Sequence, residues 1–282
     1  MRLIKKIGEK QRPPRTSATT IARIAASHIR KPVDAARLQK EFGSDFFPLL
    51  LDVTDESAVR NAAAQVKERL GQATLTGLVN NAGIGVGGPL LHLPLVEYRH
   101  QLEVNLVAPL LVTQVFAPLL GTDRTREGPP GRIVNISSVG GKIGVPFIGA
   151  YVASKHGLEG MSESLRRELL LYVIDVVVIG PGSVATPIFD KAESADFSAY
   201  RGTEYAAILD HFREYFIAEG RKGFPPEKIG RAVHVALTAA RPKVRYAIVP
   251  QRLVNWTLPM LLPKRVLDKM IAKQLGLAGA RT

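Results

Sequence analysis

The sequence predicts one large α/β domain, and three observations carry that prediction. The chain is 282 residues long, enough for a single sizeable core. Short apolar runs at DFFPLLLDV, LTGLVNN, RIVNIS and VIDVVVIG read as buried strands. Between them lie stretches such as DESAVRNAAAQVKERLG and YVASKHGLEGMSESLRREL, whose apolar residues recur at helical spacing.

Composition excludes several classes of function. The chain has no cysteine, which rules out disulfides, thiolate catalysis and cysteine-based metal sites. Its six histidines show no metal-ligand spacing. The formal charge is +13, but the excess lies at the ends. Residues 1–40 hold eleven Lys and Arg against Glu9 and Asp34, and residues 241–282 hold nine against Asp268, so the body between is net acidic. Basic ends with almost no aromatic residues among the charges resemble solvated flanks more than a nucleic-acid surface. There is no long uncharged apolar run and no apolar signal region in MRLIKKIGEK, so a soluble, cytoplasmic chain is expected.

Taken in order, residues 1–30 form an atypical segment. Residues 16–27 suit a weak helix, while Pro13-Pro14 argue for an irregular lead-in. From residue 45, DFFPLLLDVTD predicts a buried strand ending at Asp52, after which Thr54 or Asp55 caps a helix. LTGLVNNAGIG is an apolar strand running into small residues, where backbone can approach a ligand and an Asn side chain can tie neighbouring strands. A long helix follows from about Leu95 to Leu119, with Asn105 as an amide on an apolar face that must find partners. GTDRTREGPPG reads as a plain surface loop. After the strand VIDVVVIG comes a turn at Gly180-Pro181-Gly182. Phe189, Phe212, Tyr215 and Phe216 would either line an apolar cavity under a lid or be ordinary core. FPPEKIGRAVHVALTAARP predicts a closing helix and VRYAIVP a last strand. In the tail, Val266, Leu267, Met270, Ile271 and Leu275 recur at helical spacing, with Lys269 and Lys273 on the other side. Packing on the parent domain is the default for that helix; sealing a substrate pocket or resting on an anionic membrane are the other readings.

Chemistry concentrates in GRIVNISSVGGKIGVPFIGAYVASK. A strand ends in Ser137 and Ser138, a Gly- and Pro-rich loop follows, and Tyr151 and Lys155 then stand four apart on one helix face. A serine hydroxyl facing a phenol backed by an ammonium suits proton transfer at an alcohol or carbonyl oxygen. Bringing a phenol from its usual pKa of about 10 to about 7 requires about 4 kcal/mol in favour of the phenolate. The Lys155 ammonium, helped by a cationic cofactor ring, is the expected source.

With these residues the sequence resembles the short-chain dehydrogenase/reductase family over residues 31 to about 250, in its hydroxysteroid and retinol dehydrogenase branch. Four elements agree in order and interval: Asn80-Asn81-Ala82-Gly83, Asn105, the set Ser138, Tyr151 and Lys155, and the Pro-Gly turn with Thr186. The resemblance implies a Rossmann-type, doubly wound parallel sheet of about seven strands with helices on both faces. It implies a catalytic set of Asn105, Ser138, Tyr151 and Lys155. It further implies a nicotinamide dinucleotide held by Asp52, Val53, Asn80, Ala82, Gly83, Tyr151, Lys155, Pro181, Gly182, Val184 and Thr186. Arg30 and Lys31 fall where the family's second strand ends and would favour the 2′-phosphate of NADP over NAD; a solvated basic pair is the other reading.

One departure stands out. The family's phosphate-cradling T-G-x-x-x-G-x-G loop cannot be drawn in residues 1–30, whose one glycine is Gly8. Two explanations compete: a divergent N-terminus, or a reading frame altered upstream of residue 31, which the Arg, Pro, Ser and Thr bias suits better. The domain expectation is therefore an atypical segment at 1–30, a catalytic domain at 31–250 and an apolar tail at 251–282. The functional expectation is an NAD(P)-dependent oxidoreductase interconverting an alcohol and a ketone or aldehyde, with a small apolar substrate and a homodimer or homotetramer. The alternative is a catalytically silent scaffold of the same family that binds a protein or a small apolar ligand.

Overall fold

The computed structural model describes residues 32–186 and 188–277. Arg30, Lys31 and the rest of the atypical segment lie outside the described residues. Helix α1 (Pro32–Phe42) leads into an extended stretch over 46–53, and α2 (Glu56–Leu70) begins where Asp55 accepts a hydrogen bond from the Ala58 amide at 3.0 Å. This is the expected cap, which satisfies one of the free amides of the first turn. Strand β1 (Gly77–Asn80) is followed by α3 (Leu95–Leu102), a π-helical turn (Glu103–Val107) and α4 (Ala108–Ala117). Next come β2 (Arg132–Ile136), α5 (Gly149–Glu168) and β3 (Asp175–Pro181). The remainder is α6 (Ile188–Glu193), α7 (Ala206–Arg221), α8 (Pro226–Thr238), β4 (Arg245–Ile248), α9 (Leu258–Leu261) and α10 (Lys264–Leu275).

The strands pair in parallel in the order β1-β2-β3-β4. Alternate residues of each strand face opposite ways, and both faces are covered. Ile133 and Val176 join Val59, Val66, Val112 and Phe116 from α2 and α4 in one core. Val134, Val177 and Ile179 meet Ile229 and Ala236 of α8 in the other. This is the expected parallel α/β sandwich, with four strands among the described residues against the seven or so expected. Residues 46–52 are extended, and Leu49 and Leu51 pack against the first core, yet they join no ladder with a described strand.

The packing refines three local expectations. The continuous helix Leu95–Thr122 is long and apolar enough by composition to cross a membrane. Half of its apolar window is buried, and it packs against α2, α5 and β1 as a core helix. The loop at 121–131 is more than surface, because Arg126 is buried and donates to the carbonyls of Gly71 and Ala73. Of the four aromatics, Phe189, Phe212 and Phe216 pack as core with ring centres 5.4 and 5.6 Å apart, whereas Tyr215 is exposed.

Candidate active site

The C-terminal ends of β1, β2 and β3 lie side by side, with Asn80 opposite Asn135 and Ile136 opposite Ile179. Open parallel sheets take their ligands beyond this edge, and the residues singled out from the sequence gather there.

Ser138 follows β2 in extended conformation, and its hydroxyl accepts from the Gly140 amide at 3.1 Å. The Tyr151 ring stands beside it: a β-carbon on Gly140 would lie 3.4 Å from that ring and 3.6 Å from Ser138 Oγ. Lys155, one turn along α5 from Tyr151, is buried and donates to the Ile136 carbonyl at 2.8 Å, with its nitrogen 5.7 Å from the Tyr151 ring centre. Serine, phenol and amine therefore stand together at this sheet edge.

The electrostatics differ from the expectation. Burial raises the Tyr151 hydroxyl above its ordinary value, and the nearby Ser138 hydroxyl only partly offsets this. The Lys155 ammonium, meanwhile, donates to the Ile136 carbonyl. Burial also lowers Lys155 to about 8, against the opposing pull of the Glu159 carboxylate one turn on. In the chain alone, the phenol is held protonated.

Asn105 is fully buried in the π turn. Its amide oxygen accepts from the Ile84 amide at 2.9 Å, and its nitrogen donates to the Ile84 carbonyl at 3.0 Å and to Ser154 Oγ at 3.1 Å. The side chain is thus spent on holding the loop after β1. That loop must come close: a β-carbon on Gly83 would lie 3.2 Å from the Asn105 oxygen and 3.8 Å from Lys155 Nζ. Asn80 behaves similarly, donating to Asn135 Oδ1 at 2.8 Å and to Thr113 at 3.2 Å, so its amide ties β1 to β2 and α4. Asn135 continues the tie to Ser162 on α5 at 2.8 Å.

Val53, Asn80 and Ala82 border one small hollow beside β1. Asp52 is exposed and closes a turn on Thr54, with bonds of 3.0 and 2.8 Å. At the third strand, Pro181 ends β3, the Gly182 amide donates to the Ile248 carbonyl at 2.9 Å, and Val184 bridges to Phe224. Thr186 stays half-buried at the same sheet edge. Arg30 lies outside the described residues.

Sequence reasoning missed three residues that shape this site. Gln101, fully buried, accepts from the Val86 amide at 2.7 Å and donates to the Ile84 carbonyl at 2.9 Å. Its place four residues before Asn105, on the same helix face, was the available signal. The other two are Glu159 and Arg245. Arg245 reaches from β4 to grip the Glu159 carboxylate with Nε and Nη2, at 2.9 and 2.9 Å. It also donates to the Ser138 carbonyl at 3.3 Å and stacks over Trp256 at 4.5 Å. Nothing local in the sequence joins two residues 86 positions apart.

A profile of the short chain dehydrogenase family matches residues 17–196. The chain belongs to that family. The match starts ahead of residue 31 and so takes in part of the atypical segment. An NADPH-dependent 3-dehydrocapnine reductase of Ornithobacterium rhinotracheale is 35% identical over 247 residues, covering 88% of this chain and 87% of its own. Retinol dehydrogenase 5 of Mus musculus is 34% identical over 252 residues, covering 85% of this chain and 77% of its own. The crystal structure of a short-chain dehydrogenase from Streptomyces avermitilis superposes with a TM-score of 0.65 at 25% identity, over 86% of this chain and 82% of that one. The chain is accordingly an oxidoreductase of this family.

Proposed function

We propose that this chain reduces the ketone or aldehyde of an apolar substrate to an alcohol, with NADPH as the hydride donor and Tyr151 as the general acid. The observation that carries the reading is the grouping of Ser138, Tyr151 and Lys155 at the sheet edge. A phenol at neutral pH has a proton to give to a carbonyl oxygen, and the reductive direction rests on the reductase relative.

Ser138 holds the substrate oxygen beside the Tyr151 hydroxyl, and Tyr151 gives that oxygen its proton. Lys155 carries the nearest positive charge and supports the phenolate that remains. Gln101 and Asn105 hold the loop at Gly83 against this pocket. When bound, the dinucleotide supplies the hydride that joins the carbonyl carbon. At the nicotinamide end the chain suits such a group: Gly83 leaves the backbone bare beside Lys155, and Val184 and Thr186 stay half-buried opposite. The preference for NADPH rests on the NADPH dependence of the reductase relative, and the apolar substrate on the retinol dehydrogenase relative.

The test is a cofactor titration with turnover. A ligand at about 100 times its Kd stabilises the native state by about 2.7 kcal/mol, so NADPH is expected to raise the melting temperature. Tyr151→Phe is expected to keep that rise and to lose turnover of apolar ketones by about 100 to 10,000-fold. Absence of any stabilisation by NADPH or NADH would instead favour the silent scaffold, in keeping with the single glycine of residues 1–30. Full turnover by the Phe variant would remove Tyr151 from the mechanism.

A further inference from the structure

After β4 the chain carries a surface that the fold does not use. Helix α10 has already met its packing requirement: Leu267 and Leu275 are buried, and Ile271 packs with Leu209 and Phe212 of α7. Val266 and Met270 lie on a different flank and are exposed. The preceding helical stretch, Leu253–Thr257 continuing as Leu258–Leu261, exposes Leu253, Val254, Leu258 and Leu261, the last of them 76% exposed. Val254, Leu258 and Leu261 follow the spacing that puts residues on one helix face. Single exposed apolar residues are ordinary, but with Met260 there are seven within eighteen positions, a concentration of the kind that marks a binding surface.

The charges beside the patch decide the occupant. Lys264, Arg265, Lys269 and Lys273 are all exposed on α10, against the single carboxylate of Asp268, and Arg252 stands at the other end of the patch. On α10 the order around the helix is a buried face, then Met270 and Val266, then Lys273, Lys269 and Arg265, while Lys264 stands at the helix start above the buried face. A second copy meeting this surface through a two-fold axis would bring the two basic rows together. An anionic bilayer meets both requirements at once: the acyl boundary takes the leucines, and the headgroup phosphates take the lysines and arginines.

We propose that residues 252–273 form a membrane-surface contact that holds the enzyme flat against an anionic lipid bilayer. The segment lies on the surface and does not span it, since neither of its helices exceeds the twelve residues of α10. Trp256, the one tryptophan of the chain, lies within the segment and reports on it directly.

The experiment uses the full chain and sucrose-loaded vesicles of phosphatidylcholine, alone or mixed with phosphatidylglycerol. The chain is expected to sediment with the mixed vesicles, with a blue shift of Trp256 fluorescence. Binding is expected to fall as salt rises from about 0.1 M to about 1 M, where the Debye length shrinks from about 10 Å to about 3 Å. Each of Arg265→Gln, Lys269→Gln and Lys273→Gln should weaken binding about fivefold. The double variant Leu258→Glu, Leu261→Glu should weaken it more than about tenfold while leaving the melting temperature unchanged, because both side chains are exposed. No sedimentation with anionic vesicles and no shift of Trp256 overturns the proposal. So does binding that the double variant retains. A chain that is dimeric, ignores vesicles and becomes monomeric in the double variant also overturns it and assigns the face to a second copy.

Discussion

Replacing Arg245 by methionine tests how β4 supports the active site. The substitution keeps an unbranched stem against Trp256 but removes the guanidinium that grips Glu159, a carboxylate whose side chain is 5% exposed. Removing one partner of a buried ion pair costs about 3 to 5 kcal/mol, because the other charge is left without water or counter-charge. Lys142, 3.6 Å from the same carboxylate and more exposed, remains to offset part of the loss. A destabilisation near 3 kcal/mol is therefore expected, equivalent to a fall in Tm of about 6 to 12 °C for a domain of this size. Thermal melts and urea titrations measure it. A second variant separates the pair from the packing: Arg245→Met with Glu159→Leu removes both charges and should recover to within about 1 to 2 kcal/mol of the parent. The single variant should also lose kcat, by about 10 to 100-fold, since the Ser138 carbonyl loses its donor and the serine its fixed position. A single variant that melts within about 2 °C of the parent, or a double variant no more stable than the single, would refute the reasoning.

Two further outcomes are expected. Burial lowers Lys155 from 10.5 to about 8, so the native state carries the full cost of a buried charge below pH 8 and sheds it as pH rises towards 10.5. Relative to the parent, Lys155→Met should therefore lose about 3 kcal/mol of stability across that window, and urea midpoints showing a constant difference would contradict it. Gly131 leads into β2, where a β-carbon would strike the Leu75 carbonyl and Leu120, so Gly131→Ala should cost about 3 kcal/mol in urea unfolding; a change below about 1 kcal/mol would show that the backbone yields.

The parts of this fold legible in sequence are those governed by local pattern. The branched apolar runs at 132–136 and 175–181 became buried strands because parallel strands are covered on both faces. Asp55 capped its helix, and Tyr151 and Lys155 shared a face, because both relations act within one turn. Non-local relations were hidden. The run at 46–52 has strand composition, but a strand needs a neighbour, and composition does not name one. The same holds for Arg245 and Glu159, and for Arg126 and the carbonyls of Gly71 and Ala73. The direction of the Tyr151 shift was missed for a related reason: sequence put an ammonium one turn away, but not the burial that raises the phenol.

Gln101 and Asn105 grasp the Ile84 backbone from consecutive turns of one helix. Loop and helix are therefore clasped at two successive turns, and the backbone at Gly83, next to the Lys155 amine, takes its position from a helix that the core itself holds in place.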